Sequence, residues 1–244
     1  MKNYVVWTNC AVNEATGDHP SNIAPVNTEE ARSGYDQMFK ISLASAKKFL
    51  AGDWKEIVWV DPAPSRLAIF QRNWQRIHDL WHSEPCNILY LDSDVMLLKP
   101  TEIFGRFPEF RLFNWTDPKT WPGFENLYNA AVRYYPATMN EDLWTTGNAM
   151  AQNWNPDNWN QEQEIFNTMF WSQSVADSHH PELNWQGMHL RLSRQYSDTI
   201  EYLNKWNTVP ITEAHLIHVH GSRGAVETAQ CMKDIAQEVD VKIE

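Results

Sequence analysis

The first hundred residues alternate between short apolar runs and longer stretches that carry apolar side chains at helical spacing. The apolar runs are residues 4–7, 56–60 and 88–91, each about the length of one strand. The stretches with helical spacing are residues 29–50 and 65–81. The order strand, helix, strand, helix, strand predicts parallel strands joined by right-handed crossovers, as in nucleotide-binding half domains.

After residue 100 the pattern is less regular. We predict further strands at residues 110–113, 130–135, 143–151 and 214–221, the third of them interrupted at Gly147. We predict further helices at residues 161–172 and 225–239. No linker-like or repeated segment divides the chain, so we expect residues 1–244 to form one α/β domain.

Two aspartates, Asp92 and Asp94, follow directly after the third apolar run. Residues 88–91 are typical of a central strand buried on both faces, where unpaired carboxylates would be too costly, so the acids are expected at the end of the strand. The carboxyl ends of strands in an open α/β sheet face the crevice where such sheets bind ligands. Carboxylates suit Mg²⁺ or Mn²⁺, which commonly bridge a protein to phosphate oxygens. The alternative is an ordinary solvated turn, and the apolar residues 95–98 that follow favour the metal site.

Composition narrows the choice of partners. The formal net charge is -11 and the basic residues are scattered, which argues against a nucleic-acid backbone or an anionic membrane as the main partner. The three cysteines, Cys10, Cys86 and Cys231, show neither a disulfide framework nor zinc-site spacing. No apolar run approaches the roughly 20 residues of a membrane span. We therefore expect a soluble, cytoplasmic protein.

Four segments, taken in order, resemble the GT-A glycosyltransferases, particularly family 8, with a region similar to family 32 around the acid pair. Residues 90–94 resemble the D-x-D motif, and residues 98–100 its continuation in family 32. The other three segments are Thr145-Thr-Gly147 at the N-x-G position, residues 162–167 resembling the D-Q-D-x-x-N helix start, and residues 218–221 resembling the terminal H-x-x-G. The resemblance implies a single GT-A, Rossmann-like domain whose mixed, mostly parallel sheet is flanked by helices.

The resemblance also implies a metal centre. Asp92, Asp94 and His218 would bind Mn²⁺ or Mg²⁺, and the diphosphate of a nucleotide sugar would complete the site. A divalent ion held there neutralises the negative charge that grows on the departing phosphate. His220 shares a strand face with His218 and is an alternative ligand, whereas His215 is expected on the opposite face. The alternative for His218 is a core histidine that is simply hydrogen-bonded.

For catalysis, the resemblance assigns Gln163 to the position beside the anomeric carbon, flanked by Glu162 and Glu164. A carboxamide there could stabilise an oxocarbenium-like centre while the sugar is transferred with retention. The alternative is an ordinary N-terminal helical turn, in which acidic residues are favoured by the helix dipole.

Further residues are expected to contact the donor through its nucleoside, diphosphate or sugar. They are Thr8, Asn9, Arg72, Arg76, Ser93, Gly221 and Arg223. Two departures from the family pattern affect this assignment: Thr145 replaces the asparagine of N-x-G, and Gly224 stands where the family has a lysine. Residues 1–100 would form the nucleotide-binding half, and residues 101–244 the acceptor half with the C-terminal metal-ligand strand.

The leading hypothesis is a metal-dependent, retaining glycosyltransferase that uses a nucleotide-diphosphate sugar, with a UDP-sugar favoured. The acceptor is not identified, and a glycan or small molecule is favoured over nucleic acid. A nucleotidyltransferase is one alternative, although residues 8–16 lack the basic, Gly-rich loop expected after its first strand. A carbohydrate- or nucleotide-binding protein without turnover is the other.

Overall fold

The computed structural model describes residues 1–9, 28–60, 66–106, 111–114, 128–139, 141–152, 187–192, 214–221 and 224–243. The strands are β1 (Lys2–Thr8), β2 (Lys55–Trp59), β3 (Cys86–Leu91), β4 (Val95–Leu97), β5 (Arg111–Asn114), β6 (Tyr128–Tyr135), β7 (Gly187–Leu192) and β8 (Leu216–Gly221). The helices are α1 (Glu29–Phe49), α2 (Arg66–Ser83), α3 (Asp142–Gln152) and α4 (Ala225–Glu238).

The third strand of the chain, β3, is the central strand of a five-stranded sheet with the order β2-β1-β3-β6-β5. β1 pairs in parallel with β2 and with β3, whereas β6 runs antiparallel to β3 and to β5. All residues of β3 are buried, which explains its continuous apolar sequence. The observed sheet confirms the predicted α/β class and the mixed strand directions.

The two faces of the large sheet are covered by different helices. Tyr90 of β3 packs with Trp74 of α2, whereas Leu91 packs with Ala46 of α1. Side chains alternate across a strand, so Asp92, two residues after Tyr90, follows it on the α2 side of the sheet. The packing of β3 in the core therefore determines on which face of the sheet Asp92 lies.

A smaller sheet has the order β4-β8-β7, with β4 antiparallel and β7 parallel to β8. Met96 and Ile217 of this sheet pack with Ile235 of α4. A Cβ atom on Gly34 of α1 would lie 2.6 Å from the Ala225 backbone, so the glycine allows α1 and α4 to touch. This contact holds the C-terminal helix, and with it β8, against the N-terminal half of the chain.

The strand predicted at residues 143–151 is wrong, because this segment forms helix α3. Its buried residues Leu143, Trp144 and Gly147 recur at helical spacing, which is hard to recognise in so short an apolar segment. A Cβ atom on Gly147 would lie only 2.2 Å from the Trp74 ring. The glycine therefore serves a close contact between α3 and α2 and does not interrupt a strand.

The other predicted elements within the described residues are confirmed, namely strands β1, β2, β3, β5, β6 and β8 and helices α1, α2 and α4. Strands β4 and β7 were not predicted. The helix predicted at residues 161–172 lies outside the described residues. Across the described ranges, every helix is too short or too polar to cross a membrane.

Two of the cysteines belong to the core. Cys86 and Cys231 are buried free thiols, and burial raises the pKa of Cys86 to about 11 and that of Cys231 to about 12. Both thiols are thus protonated and poorly reactive at neutral pH. Cys10 lies outside the described residues.

Candidate metal centre

The acid pair lies in a turn that joins the two sheets. The Asp92 N–H donates to the Ala131 carbonyl at 2.8 Å, which extends the β3–β6 ladder by one residue. On the other side, the Val219 N–H donates to the Asp94 carbonyl at 2.8 Å, which ties the turn to β8. The turn itself is closed by the Val95 N–H, which donates to the Asp92 carbonyl at 3.1 Å. The backbone of both acids is therefore held by strands on either side.

His218 is brought to the acids by the pairing of β4 with β8. In the antiparallel register, His218 lies opposite Val95, the residue that follows the acid turn. His218 is 3 % exposed, and its Nε2 lies 3.3 Å from Asp94 Oδ1. One ligand atom from each of Asp92, Asp94 and His218 lies within 4.8 Å of the other two. Ligand atoms about 2.1 Å from one ion are up to about 4.2 Å apart, so small side-chain rotations suffice for joint coordination.

The electrostatics of these three groups fit a cation. Burial, together with the negative charge of Asp94, raises the pKa of Asp92 to about 6, although Arg133, His218 and a hydrogen bond from Tyr90 oppose the shift. Burial lowers the pKa of His218, but the charge and hydrogen bond of Asp94 and the charge of Asp92 outweigh it and raise the pKa. Two carboxylates that disfavour each other's ionisation in a half-buried site are relieved by a divalent ion. The residues present thus fit Mn²⁺ or Mg²⁺.

Arg133 of β6 is a site residue that was not predicted. It is fully buried and lies directly opposite Tyr90 in the β3–β6 register. Its guanidinium carbon lies 3.8 Å from the centre of the Tyr90 ring, and its charge lowers the pKa of Asp92. The sequence contains one indication of this role: Arg133 lies within the apolar segment that is predicted as a strand at residues 130–135. A charge buried in such a strand requires a partner.

The end of β1 lies next to the acid turn. Trp7 pairs with Leu91, so Thr8 lies beside the residue that starts the turn. The Thr8 hydroxyl donates to Asn73 Oδ1 at 2.8 Å, and Asn73 Nδ2 lies 3.4 Å from the Tyr90 hydroxyl. Thr8 is thus connected through α2 to the strand that carries the acids.

The other predicted donor residues of the N-terminal half lie at the same edge of the sheet. Asn9 follows β1, and its side chain donates to Asp36 Oδ1 at 2.7 Å. The Arg76 guanidinium carbon lies 5.5 Å from the centre of the Trp59 ring at the end of β2. Arg72, one helical turn earlier, is exposed.

The later segments are only partly described. Ser93 lies within the acid turn, and Gly221 is the last residue of β8. Glu162, Gln163, Glu164 and Arg223 lie outside the described residues, as does the side chain of His220. His215 Nδ1 lies 3.3 Å from Thr101 Oγ1.

The proposed N-x-G position is on a helix. Thr145 is an exposed residue of α3, and its N–H donates to the Glu141 carbonyl. The strand beside the acid turn is β6, whose Ala131 carbonyl accepts the Asp92 N–H. The segment around Thr145 packs on α2 and does not form a strand of the sheet.

Comparison with known proteins supports the architecture. Neither a protein-family model nor a curated protein matches the sequence. A glycosyltransferase involved in the glycosylation of the major capsid of PBCV-1 superimposes with a TM-score of 0.50 at 12% identity, over 96% of this chain and 100% of that chain. The galactosyltransferase LgtC, solved with donor and acceptor sugar analogues, gives a TM-score of 0.47 at 11% identity, over 96% of this chain and 95% of its own. Together with the acid turn at the end of the central strand, the full-length match to the PBCV-1 enzyme identifies the fold of this chain as that of the GT-A glycosyltransferases.

Proposed function

We propose that this protein is a metal-dependent glycosyltransferase that moves a sugar from a nucleotide-diphosphate sugar, most favourably a UDP-sugar, to an acceptor with retention of configuration. The proposal rests on one observation: Asp92, Asp94 and His218, from two distant segments of the chain, bring three ligand atoms within 4.8 Å of one another. In the GT-A fold this position is the crevice at the carboxyl ends of the parallel strands, where a nucleotide is expected.

In this proposal the three residues hold Mn²⁺ or Mg²⁺ with different contributions. The two carboxylates supply the hard, charged ligands, and the His218 imidazole supplies a nitrogen ligand that suits Mn²⁺. When bound, the ion neutralises the charge that develops on the leaving diphosphate. Burial of His218 and the strand contacts on both sides of the acid turn keep the ligands preorganised.

The donor is oriented by residues that line the same edge of the sheet. Thr8 and Asn9 contact the nucleoside, and Arg76 and Arg72 contact the phosphate or sugar. Ser93 of the acid turn, Gly221 at the end of β8 and Arg223, two positions later in the sequence, contact the diphosphate. Residues 1–100 thus bind the nucleotide. Residues 101–244 bind the acceptor, for which the net charge of -11 favours a glycan or small molecule over nucleic acid.

The segment around Gln163 is assigned to the reacting sugar of the donor. Its carboxamide stabilises positive charge at the anomeric carbon, and the acceptor hydroxyl attacks from the face that the diphosphate leaves, so that configuration is retained. The departing phosphate oxygen takes the acceptor's proton. Glu162 and Glu164 flank Gln163 in the sequence.

Substitution of one metal ligand tests the proposal. Purified wild-type protein is incubated with UDP-glucose and UDP-galactose in the presence of Mn²⁺, and released UDP is measured. We expect slow donor hydrolysis that falls about a hundredfold or more in Asp94→Asn. Asp53→Asn, which makes the same chemical change at an exposed residue, serves as the matched control.

Thermal shift with UDP, GDP and CMP separates the remaining possibilities. A transferase should show a rise in melting temperature that requires both nucleotide and Mn²⁺ and that Asp94→Asn abolishes. A binding protein without turnover would show the thermal shift but release no UDP from either sugar nucleotide. Neither a shift nor release, with any nucleotide or metal, would refute the proposal.

A further inference from the structure

The metal centre contains a permanent positive charge of its own. Arg133 is completely buried, and a buried guanidinium is stable only where negative charge compensates it. The Asp92 carboxylate interacts with this charge, and Asp94 supplies a second carboxylate whose oxygen lies within 4.8 Å of a ligand atom of Asp92. Two carboxylates are therefore opposed by one guanidinium before any cation arrives.

The pairing of β6 with β3 fixes the position of Arg133 relative to the acid turn. Its partner across the β3–β6 ladder is Tyr90, and the guanidinium carbon lies 3.8 Å from the centre of the Tyr90 ring. Tyr90 is two residues before Asp92 and on the same face of the sheet, so the arginine is held alongside the first acid of the pair. A cation stacked on an aromatic ring in the core has no solvent to move into.

The buried guanidinium affects the binding of a divalent cation at Asp92, Asp94 and His218. A divalent cation bound without a nucleotide would leave net positive charge beside the buried guanidinium, because the guanidinium already compensates one carboxylate. A diphosphate adds the missing negative charge together with its own oxygen ligands. We propose, on the basis of the function proposed above, that Arg133 makes cation binding at Asp92, Asp94 and His218 dependent on the donor's diphosphate. Arg133 acts as a positioning residue that couples the two binding events.

The test measures metal binding without catalysis. Mn²⁺ is titrated into wild type, Arg133→Met and Arg133→Lys at about pH 8, with and without UDP, and free Mn²⁺ is followed by electron paramagnetic resonance. In wild type, UDP should tighten Mn²⁺ binding strongly. In Arg133→Met, binding of Mn²⁺ alone should be about tenfold tighter and the enhancement by UDP about tenfold smaller, since removal of one nearby charge shifts a charged equilibrium by at least that factor.

The lysine variant is the matched control because it keeps the charge and changes the shape. Arg133→Lys should follow wild type in both titrations. By thermodynamic reciprocity, Mn²⁺ should also enhance UDP binding about tenfold less in Arg133→Met than in wild type. A purely structural role for the arginine would lower stability without changing this coupling factor.

Each outcome decides one proposal. If wild type binds no Mn²⁺ with or without UDP, the proposed function fails. If wild type binds both together but Arg133→Met gives the same coupling, the inference about Arg133 is overturned and the proposed function stands. Should Arg133→Met not fold, Arg133→Gln takes its place. If neither neutral variant folds, the wild-type titrations decide, and Mn²⁺ binding that UDP does not tighten overturns the inference.

Discussion

His218 Nε2 lies 3.3 Å from Asp94 Oδ1, although the two residues lie far apart along the chain. The antiparallel pairing of β4 with β8 places them together, and the Asp94 carbonyl accepts a hydrogen bond from Val219, the neighbour of His218. The strand that begins directly after the acid turn, β4, is therefore the one that pairs with the strand carrying His218. A substitution that disturbs β4 or β8 should therefore alter metal binding.

Loss of the histidine should weaken metal binding and leave the fold in place. We expect His218→Asn to lower Mn²⁺ affinity in the presence of UDP by about tenfold to a hundredfold, because one ligand atom is lost. Isothermal titration calorimetry measures the change. His215→Asn is the matched control, since His215 lies against Thr101. Equal effects of the two substitutions would argue against His218 as a ligand.

The stability of the metal-free protein should fall as pH rises across the range in which Asp92 titrates. Its pKa is raised from an ordinary 3.8 to about 6, so between these values the native state binds more protons than the unfolded state. The stabilisation is complete below about pH 4 and is lost as pH passes about 6. The raised pKa of His218 acts in the same direction.

Urea denaturation at several pH values measures this slope. In Asp92→Asn the group cannot titrate, so the variant should be more stable than wild type above about pH 7, by about 3 kcal/mol or less. The two proteins should converge in acid. A slope unchanged by the substitution would show that Asp92 ionises normally in the native state.

Helix α3 should not tolerate a side chain at Gly147. A Cβ atom there would lie 2.2 Å from the Trp74 ring, which is itself fixed in the core. We expect Gly147→Ala to destabilise the protein by about 1–3 kcal/mol through overpacking, despite the better helix propensity of alanine. Thr145→Ala, at an exposed position of the same helix, should change stability little. Urea denaturation of both variants tests the contact, and a Gly147→Ala protein as stable as wild type would contradict it.

The two arginines of α2 should differ in their effect on nucleotide binding. Arg76 is stacked over Trp59 beside the end of β1, so its guanidinium is partly ordered before the ligand binds. Arg72 is exposed, so solvent screens its contact with a ligand and makes that contact weaker. We expect Arg76→Met to weaken binding of UDP with Mn²⁺ about tenfold and Arg72→Met about threefold or less. Calorimetry that ranks them in reverse would refute this order.

The acid turn and the elements before it were predictable because they depend on local patterns. A continuous apolar run reports a strand buried on both faces, and acids that follow it can only lie at its end. The long periodicity of α1 and α2 is likewise local. The segment at residues 143–151 was predicted wrongly because a short apolar stretch fits either period, and its packing on Trp74 decides for the helix.

The sequence by itself determined which residue types were available for a metal centre: two aspartates after a buried strand and a histidine in a late apolar run. Only the tertiary structure decided that they meet, because the register between β4 and β8 is set by the packing of the small sheet against α1 and α4. The same holds for Arg133, whose position beside Asp92 follows from the antiparallel return of β6 along β3. Spacing along the chain carries no information about such a pairing, since it is formed by contacts between distant segments.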